Sequence, residues 1–303
     1  MNTMRKLSSL ALALSLAFIG NSAHAELDQS FTVSNGAGGV IVANATALDW
    51  NEQGSGVAVG VGPYGVFLAP GTQFDFLYQA NLVNISNGQE TALYSNLDGN
   101  SNGVANLGKT FEFTIVSKMR EIVLNSIGVG ATSYAQFGLV NSPINKVAIY
   151  YDTATNANTA TGTGFDDGTM VALLTIVSDG TTSDFSGKTA ATGQGSARIH
   201  ATLSSAGDFV NAAYLSGIED LIIGMGFESN LNYPARSAST TSFHASGADP
   251  RFPTYQVKTN DIVFKVDGSN GFTRVPEPGS MLLMGIGMLG LVGAARRRSA
   301  KKA

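Results

Sequence analysis

The stretch Thr110-Phe111-Glu112-Phe113-Thr114-Ile115-Val116 alternates polar and apolar side chains, with aromatic and β-branched residues on one face. Successive side chains of an extended chain point to opposite faces, so a period of two marks a half-buried strand. Less regular runs of the same kind recur at 57–59, 74–82, 146–151, 169–177, 199–203, 221–227 and 261–266. Turn pairs stand between them: Asn87-Gly88, Asp98-Gly99, Asp167-Gly168, Asp179-Gly180 and Asp267-Gly268. Gly accepts positive φ and Asn or Asp tolerates it, so each pair is expected to reverse the chain. Regular short strands with such turns specify a sandwich or a barrel. The reading predicts an all-β fold, a single jelly-roll-like β-sandwich spanning residues 26–274. Helix is expected to be scarce. Residues 118–127 read as a turn or two of helix or as a further strand, and residues 208–215 as a short helix.

The two ends follow a different pattern. Arg5 and Lys6 precede an apolar run, and Ala23-His24-Ala25 forms a small-x-small site just before Glu26. A basic start, an apolar core and such a site make a secretory signal peptide, with an apolar signal helix over residues 1–25 and cleavage by signal peptidase after Ala25. At the other end, Val275-Pro276-Glu277-Pro278 leads into an apolar stretch from Met281 to Ala295, followed by Arg296, Arg297 and Arg298. Residues 279–295 would rise about 25 Å as a helix, close to the roughly 30 Å of a hydrocarbon core. A transmembrane helix is expected here, with the basic cluster held on the cytoplasmic side as a stop-transfer signal. Pro276 and Pro278 keep the segment before it extended.

A Val-Pro-Glu-Pro motif, a short Gly- and Met/Leu-rich helix and a terminal arginine cluster, in that order, resemble the PEP-CTERM sorting signal. The resemblance covers residues 275–303. It implies that a membrane-bound exosortase cuts near the motif, that the chain meets the membrane only transiently, and that the body reaches the surface or extracellular matrix of a Gram-negative bacterium. A second resemblance lies in the body. Ile149-Tyr150-Tyr151-Asp152, Gly162-Thr163-Gly164-Phe165-Asp166-Asp167-Gly168-Thr169 and Phe76-Leu77-Tyr78-Gln79-Ala80-Asn81-Leu82 are similar to the flocculation-associated PEP-CTERM proteins. That resemblance implies a non-enzymatic protein that promotes aggregation or biofilm formation with exopolysaccharide. The alternative is a secreted carbohydrate-binding module or glycoside hydrolase on a β-sandwich.

Charge narrows the partners. Seven of the 18 basic residues lie in the two ends, whereas all 22 acidic residues lie between Glu26 and Glu277, so that span carries 11 basic against 22 acidic residues, a net of −11. Such a body repels phosphate backbones, so nucleic acid is not an expected partner. Acidic surfaces can instead attract divalent cations. The chain has no cysteine. Disulfides, thiolate metal sites and cysteine nucleophiles are therefore ruled out.

Few motifs carry chemistry, and no catalytic residue or obligatory cofactor is expected. Asp98-Gly99-Asn100-Ser101-Asn102-Gly103 matches the first half of a calcium loop, with oxygens from Asp98, Asn100 and Asn102. Lys109 stands where the bidentate glutamate would be, so any calcium site is weak. Gly60-Val61-Gly62-Pro63-Tyr64-Gly65 matches G-x-G-x-x-G in letters, yet Pro70-Gly71 follows where that motif requires a helix. Asp166-Asp167 and Glu219-Asp220 are adjacent carboxylates, which a strand would point to opposite faces. Glycosidases need two carboxylates about 5–10 Å apart on separate elements. His200 and His244 are expected to be structural. Trp50 and the tyrosines are expected to pack in the core or to offer stacking faces for sugars.

Overall fold

A computed structural model of the chain describes residues 30–87, 96–104, 106–189, 191–218, 223–233, 240–247 and 249–274. The signal peptide (with Ala23 and Ala25), the sorting motif Val275–Pro278, the apolar segment after it, Arg296–Arg298, Asn87-Gly88 (in part) and Glu219-Asp220 lie outside these residues.

The described chain is nearly all strand. In order the strands are β1 (Phe31–Ser34), β2 (Val40–Ala45), β3 (Ala47–Trp50), β4 (Gly54–Ala58), β5 (Gln73–Ser86), β6 (Glu112–Ile127), β7 (Tyr134–Leu139) and β8 (Lys146–Asp152). Then come β9 (Thr169–Gly187), β10 (Gly193–Thr202), β11 (Phe209–Val210), β12 (Leu215–Ser216), β13 (Ile223–Tyr233), β14 (Ser242–Phe243), β15 (Tyr255–Gln256) and β16 (Ile262–Arg274). The all-β expectation therefore holds. Residues 118–127 are strand, the C-terminal part of β6, and residues 208–215 hold β11 and a turn rather than the expected helix.

The sheet closes on itself. β3 and β4 follow one another in a single slot between β5 and β16, β3 against Leu82–Ser86 and β4 against Phe76–Gln79. β7 and β8 share the slot between β6 and β9 in the same way. β11 continues the slot of β10 along β9. Going round, the staves are β3/β4, β5, β6, β7/β8, β9, β10/β11, β13 and β16, and β16 pairs back onto β3 and β4. All of these pairings are antiparallel. The result is one up-and-down barrel of eight staves, in place of the two facing sheets of the expected sandwich.

The difference has a local cause. Asp179-Gly180 and Asp267-Gly268 read as turns, yet both lie inside long strands. In β9, Val177 pairs with His200 and Thr182 with Arg198, so residues 178–181 bulge outward opposite Ile199. Gly180 takes φ 76° there. The Thr181 hydroxyl donates to the Val177 carbonyl at 2.6 Å and accepts from the His200 amide at 2.9 Å, which pins the bulge. A bulge bends a strand without ending it. In β16, Gly268 passes directly over the Phe227 ring, where any Cβ would overlap Phe227 Cζ. Uninterrupted β9 and β16 are long enough to run the height of a barrel.

The interior is apolar. Phe74, Phe76, Ile115, Met119, Val147, Ile176, Ile199, Met225, Phe227 and Phe264 alternate inward along their strands and are buried. One end is plugged. β12, β1 and β2 form a small sheet across it, and Phe31 of β1 meets Phe272 of β16 edge-on at 5.0 Å. Trp50 is fully buried at that end and donates its indole N–H to Asn270 Oδ1 at 2.7 Å. Burying each such ring is worth roughly 2–3 kcal/mol. Parts of the outer wall are covered too. Phe165 and Phe252 lie over Val116, Ala148, Tyr150 and Leu173, while Phe243 lies over Val57 and Leu77. Strands covered on both faces read as continuous apolar runs, which explains Val147–Tyr150 and Val171–Leu174.

Candidate functional site

The calcium-like loop is held by its own backbone. Asp98 is fully buried; its Oδ1 accepts from the Asn100 amide at 3.0 Å and from Asn106 Nδ2 at 2.7 Å. Asn102 Oδ1 accepts from the Val104 amide at 2.9 Å, and Asn100 is exposed. These are turns in which the side chain mimics a backbone carbonyl. Among the described residues, no cluster of three His, Asp or Glu side chains is placed to hold a metal.

The remaining sequence candidates are dispersed. The Gly60–Gly65 segment is a loop with no helix after it. Asp166 is buried and Asp167 exposed, so the doublet does not converge. His244 is fully buried, donates its amide to Gln79 Oε1 at 3.0 Å and places Nε2 3.2 Å from the Tyr78 carbonyl. Burial pushes its pKa down to about 4, so it is a neutral structural residue. His200 Nδ1 lies 3.1 Å from the Asp179 carbonyl, at the β9 bulge.

Among the described residues, two places can receive something. The first is a polar trough of about 690 Å³ on the outer wall, across β16, β13, β10 and β9 and reaching β3 and β7. Asp49, Asp267, Glu228, Arg198, Asn230 and Asp184 line it, and no aromatic ring does. Arg198 pairs with Glu228 at 2.6 Å, and both are exposed. Asp184 Oδ1 accepts from the Ser196 amide at 3.0 Å and hydroxyl at 3.1 Å. Burial, and then the Asp267 charge, raise the Asp49 pKa. The trough thus presents hydroxyls, amides and carboxylates to solvent along a curved sheet.

The second is the barrel interior, which opens at the end opposite the plug, beneath the loop 61–68. Its wall is apolar except at a few points. Glu121 is buried on the inner face of β6, and the Ser183 hydroxyl donates to its Oε1 at 2.6 Å. Burial pushes the carboxyl up to about 7. Tyr78 and Ser117, directly paired on β5 and β6, are 3 % exposed each, and no protein group hydrogen-bonds either hydroxyl. These interior polar groups were missed in the sequence, although a signal for them existed. Extending the period of two from Phe113 through Ile115, Ser117, Met119, Glu121 and Val123 places Ser117 and Glu121 on the core face.

The described residues thus form an all-β barrel in which the sequence candidates do not converge on one site. The chain carries a PEP-CTERM protein-sorting motif, matched over residues 274–298. That signal implies processing by an exosortase and export to the cell envelope or surface. No curated protein and no solved structure matches the chain.

Proposed function

We propose that the protein is a non-enzymatic component of the surface or extracellular matrix, released by exosortase and retained with exopolysaccharide, where it promotes cell aggregation. The sorting motif at residues 274–298 is the observation that carries this reading. The geometry supports it in two respects. β16 ends at Arg274, immediately before Val275–Pro278, so a cut at or after that segment would fall outside the barrel. The outer trough offers many weak hydrogen-bonding groups and no deep cleft, which suits multivalent contact with polymer hydroxyls. Divalent cations would bridge Asp49, Asp267 and Asp184 to acidic sugars, and the same strand carboxylates would account for any weak calcium effect. The trough also favours a second reading, a secreted carbohydrate-binding module that recognises a shorter glycan.

The intact mass of the protein from the matrix and from the membrane fraction tests the sorting step. A matrix form beginning at Glu26 and ending near Pro276–Pro278 is expected. A matrix-free, membrane-bound form ending at Ala303 would overturn the reading. Loss of the gene should reduce aggregation, and the doubly substituted Arg198→Ala/Asp184→Ala protein should be retained less in the matrix. Unchanged aggregation and retention would refute the polymer role.

A further inference from the structure

Eight staves make a barrel whose interior is either just filled by side chains or holds one small ligand. Here the filling is incomplete. A cavity of about 100 Å³ remains in the interior, whereas one water needs roughly 10–15 Å³ of such space. Aromatic and aliphatic groups from all eight staves surround it, among them Phe76, Met119, Phe185, Ile199, Phe227 and Phe264.

Polar side chains interrupt this wall, among them Tyr78, Ser117, Glu121 and Ser183. The Tyr78 and Ser117 hydroxyls have no protein partner although both are nine-tenths buried. A buried hydroxyl left unpaired is costly, and such groups in a folded protein call for a partner. Two inward positions further along β6 stands Glu121, with Ser183 beside it. No lysine, arginine or histidine lines the cavity. An anionic head group would therefore meet a carboxyl and no compensating cation, whereas a hydroxyl or carbonyl would meet donors and acceptors.

The entrance is also distinctive. Val66 and Phe67 in the loop after β4, and Ile127 and Val129 at the β6–β7 connection, stand 44 %, 52 %, 60 % and 58 % exposed. They lie at the open end, where Tyr64 stacks on Tyr233 at 4.2 Å. An apolar rim gives an apolar molecule a graded path out of water.

We infer that the barrel binds an uncharged, slender apolar molecule bearing a hydroxyl or carbonyl group, taken in through the rim and held at Tyr78, Ser117 and Glu121. This activity is independent of polymer binding on the outer wall. Binding sites of this kind are mostly apolar, with a few polar groups that fix orientation.

The test uses exported protein recovered from cells without detergent, and indole as a small uncharged fluorescent probe. Saturable one-to-one binding is expected, with hexan-1-ol displacing the probe at least about tenfold better than hexanoate at pH 8, a difference of about 1.4 kcal/mol. Ala197→Phe, which fills the cavity from β10, should weaken probe binding by about tenfold or more. Glu121→Gln keeps the shape and removes the charge. It should narrow the preference for the alcohol over the carboxylate. Probe binding that Ala197→Phe leaves unchanged would place the probe on the exposed rim and overturn the inference. So would an alcohol preference unaltered by Glu121→Gln, or the absence of saturable binding, which would leave the interior to water alone.

Discussion

Glu112 and Glu121 are buried carboxyls whose charged forms the fold disfavours. Glu112 accepts from the Asn156 and Ala157 amides, at 2.8 and 3.1 Å, and so anchors the loop after β8. Burial raises it to about 8 despite those bonds, with the Asp98 and Asp152 charges adding to the rise. Glu121, beside Ser183, is raised to about 7. A carboxyl raised above its unfolded value of 4.5 binds protons more tightly in the folded state. Its stabilising contribution is complete below that value and is lost as pH rises through 7 to 8. His244 acts in the opposite direction, because lowering it from 6.5 to about 4 removes stability as pH falls through that interval. The two effects oppose one another between 4.5 and 6.5, and only the carboxyls act above that. Thermal unfolding is therefore expected to occur at lower temperature at pH 8.5 than at pH 6.5. For Glu121 the shift from 4.5 to about 7 corresponds to roughly 3 kcal/mol as an upper bound. Glu121→Gln should flatten the profile and exceed the parent in stability above pH 8. A scan of melting temperature against pH in which parent and variant run parallel would show that Glu121 is not the group responsible.

Among the elements, β9 and β16 decide the architecture. Both contain an Asp-Gly pair that local preference assigns to a turn. In β9 the ladder with β10 resumes on both sides of the bulge, and in β16 Asp267 and Gly268 pair with Asn230 and Ser229 of β13, so the chain continues. At Gly268 the requirement is for space, since the Phe227 ring occupies the position of a Cβ. Gly268→Ala is expected to cost about 1–3 kcal/mol, the range for forcing a methyl group into a packed core. Phe227→Leu in the same chain should recover part of that loss. Chemical denaturation of the single and double variants measures the coupling, and additive losses would show that the two side chains do not compete for space.

For the whole molecule, register places both ends of the barrel chain on one side. β1 lies in the plug beside Phe272, and β16 runs from the open rim towards that plug. The sorting signal therefore leaves from the plugged end, and the rim faces the opposite way. Among the described residues the last ladder pairing of β16 is Arg274 with Ile223, so removal of everything after Pro278 takes no described ladder pairing from the barrel. Protein ending at Pro278 should melt within about 2 °C of the full-length chain, less than a loss of 1 kcal/mol would produce. A larger drop in calorimetry would mean that the tail contributes to the fold.

Much of this was legible in the residues alone. The period of two in Thr110–Val116 and the Gly- and Asn-punctuated runs determined that the body is built of strands, because strand periodicity is a local property. The motif Val275–Pro278 with its basic cluster identified the sorting signal, because such signals are read as linear sequence. Closure into a barrel was not legible, since whether Asp267-Gly268 turns or continues depends on ladder partners distant in the chain, Ser229 above all. The site was hidden for the same reason. Tyr78, Ser117, Glu121 and Ser183 share one interior only because β5, β6 and β9 curve round to enclose it, and no spacing along the chain encodes that meeting.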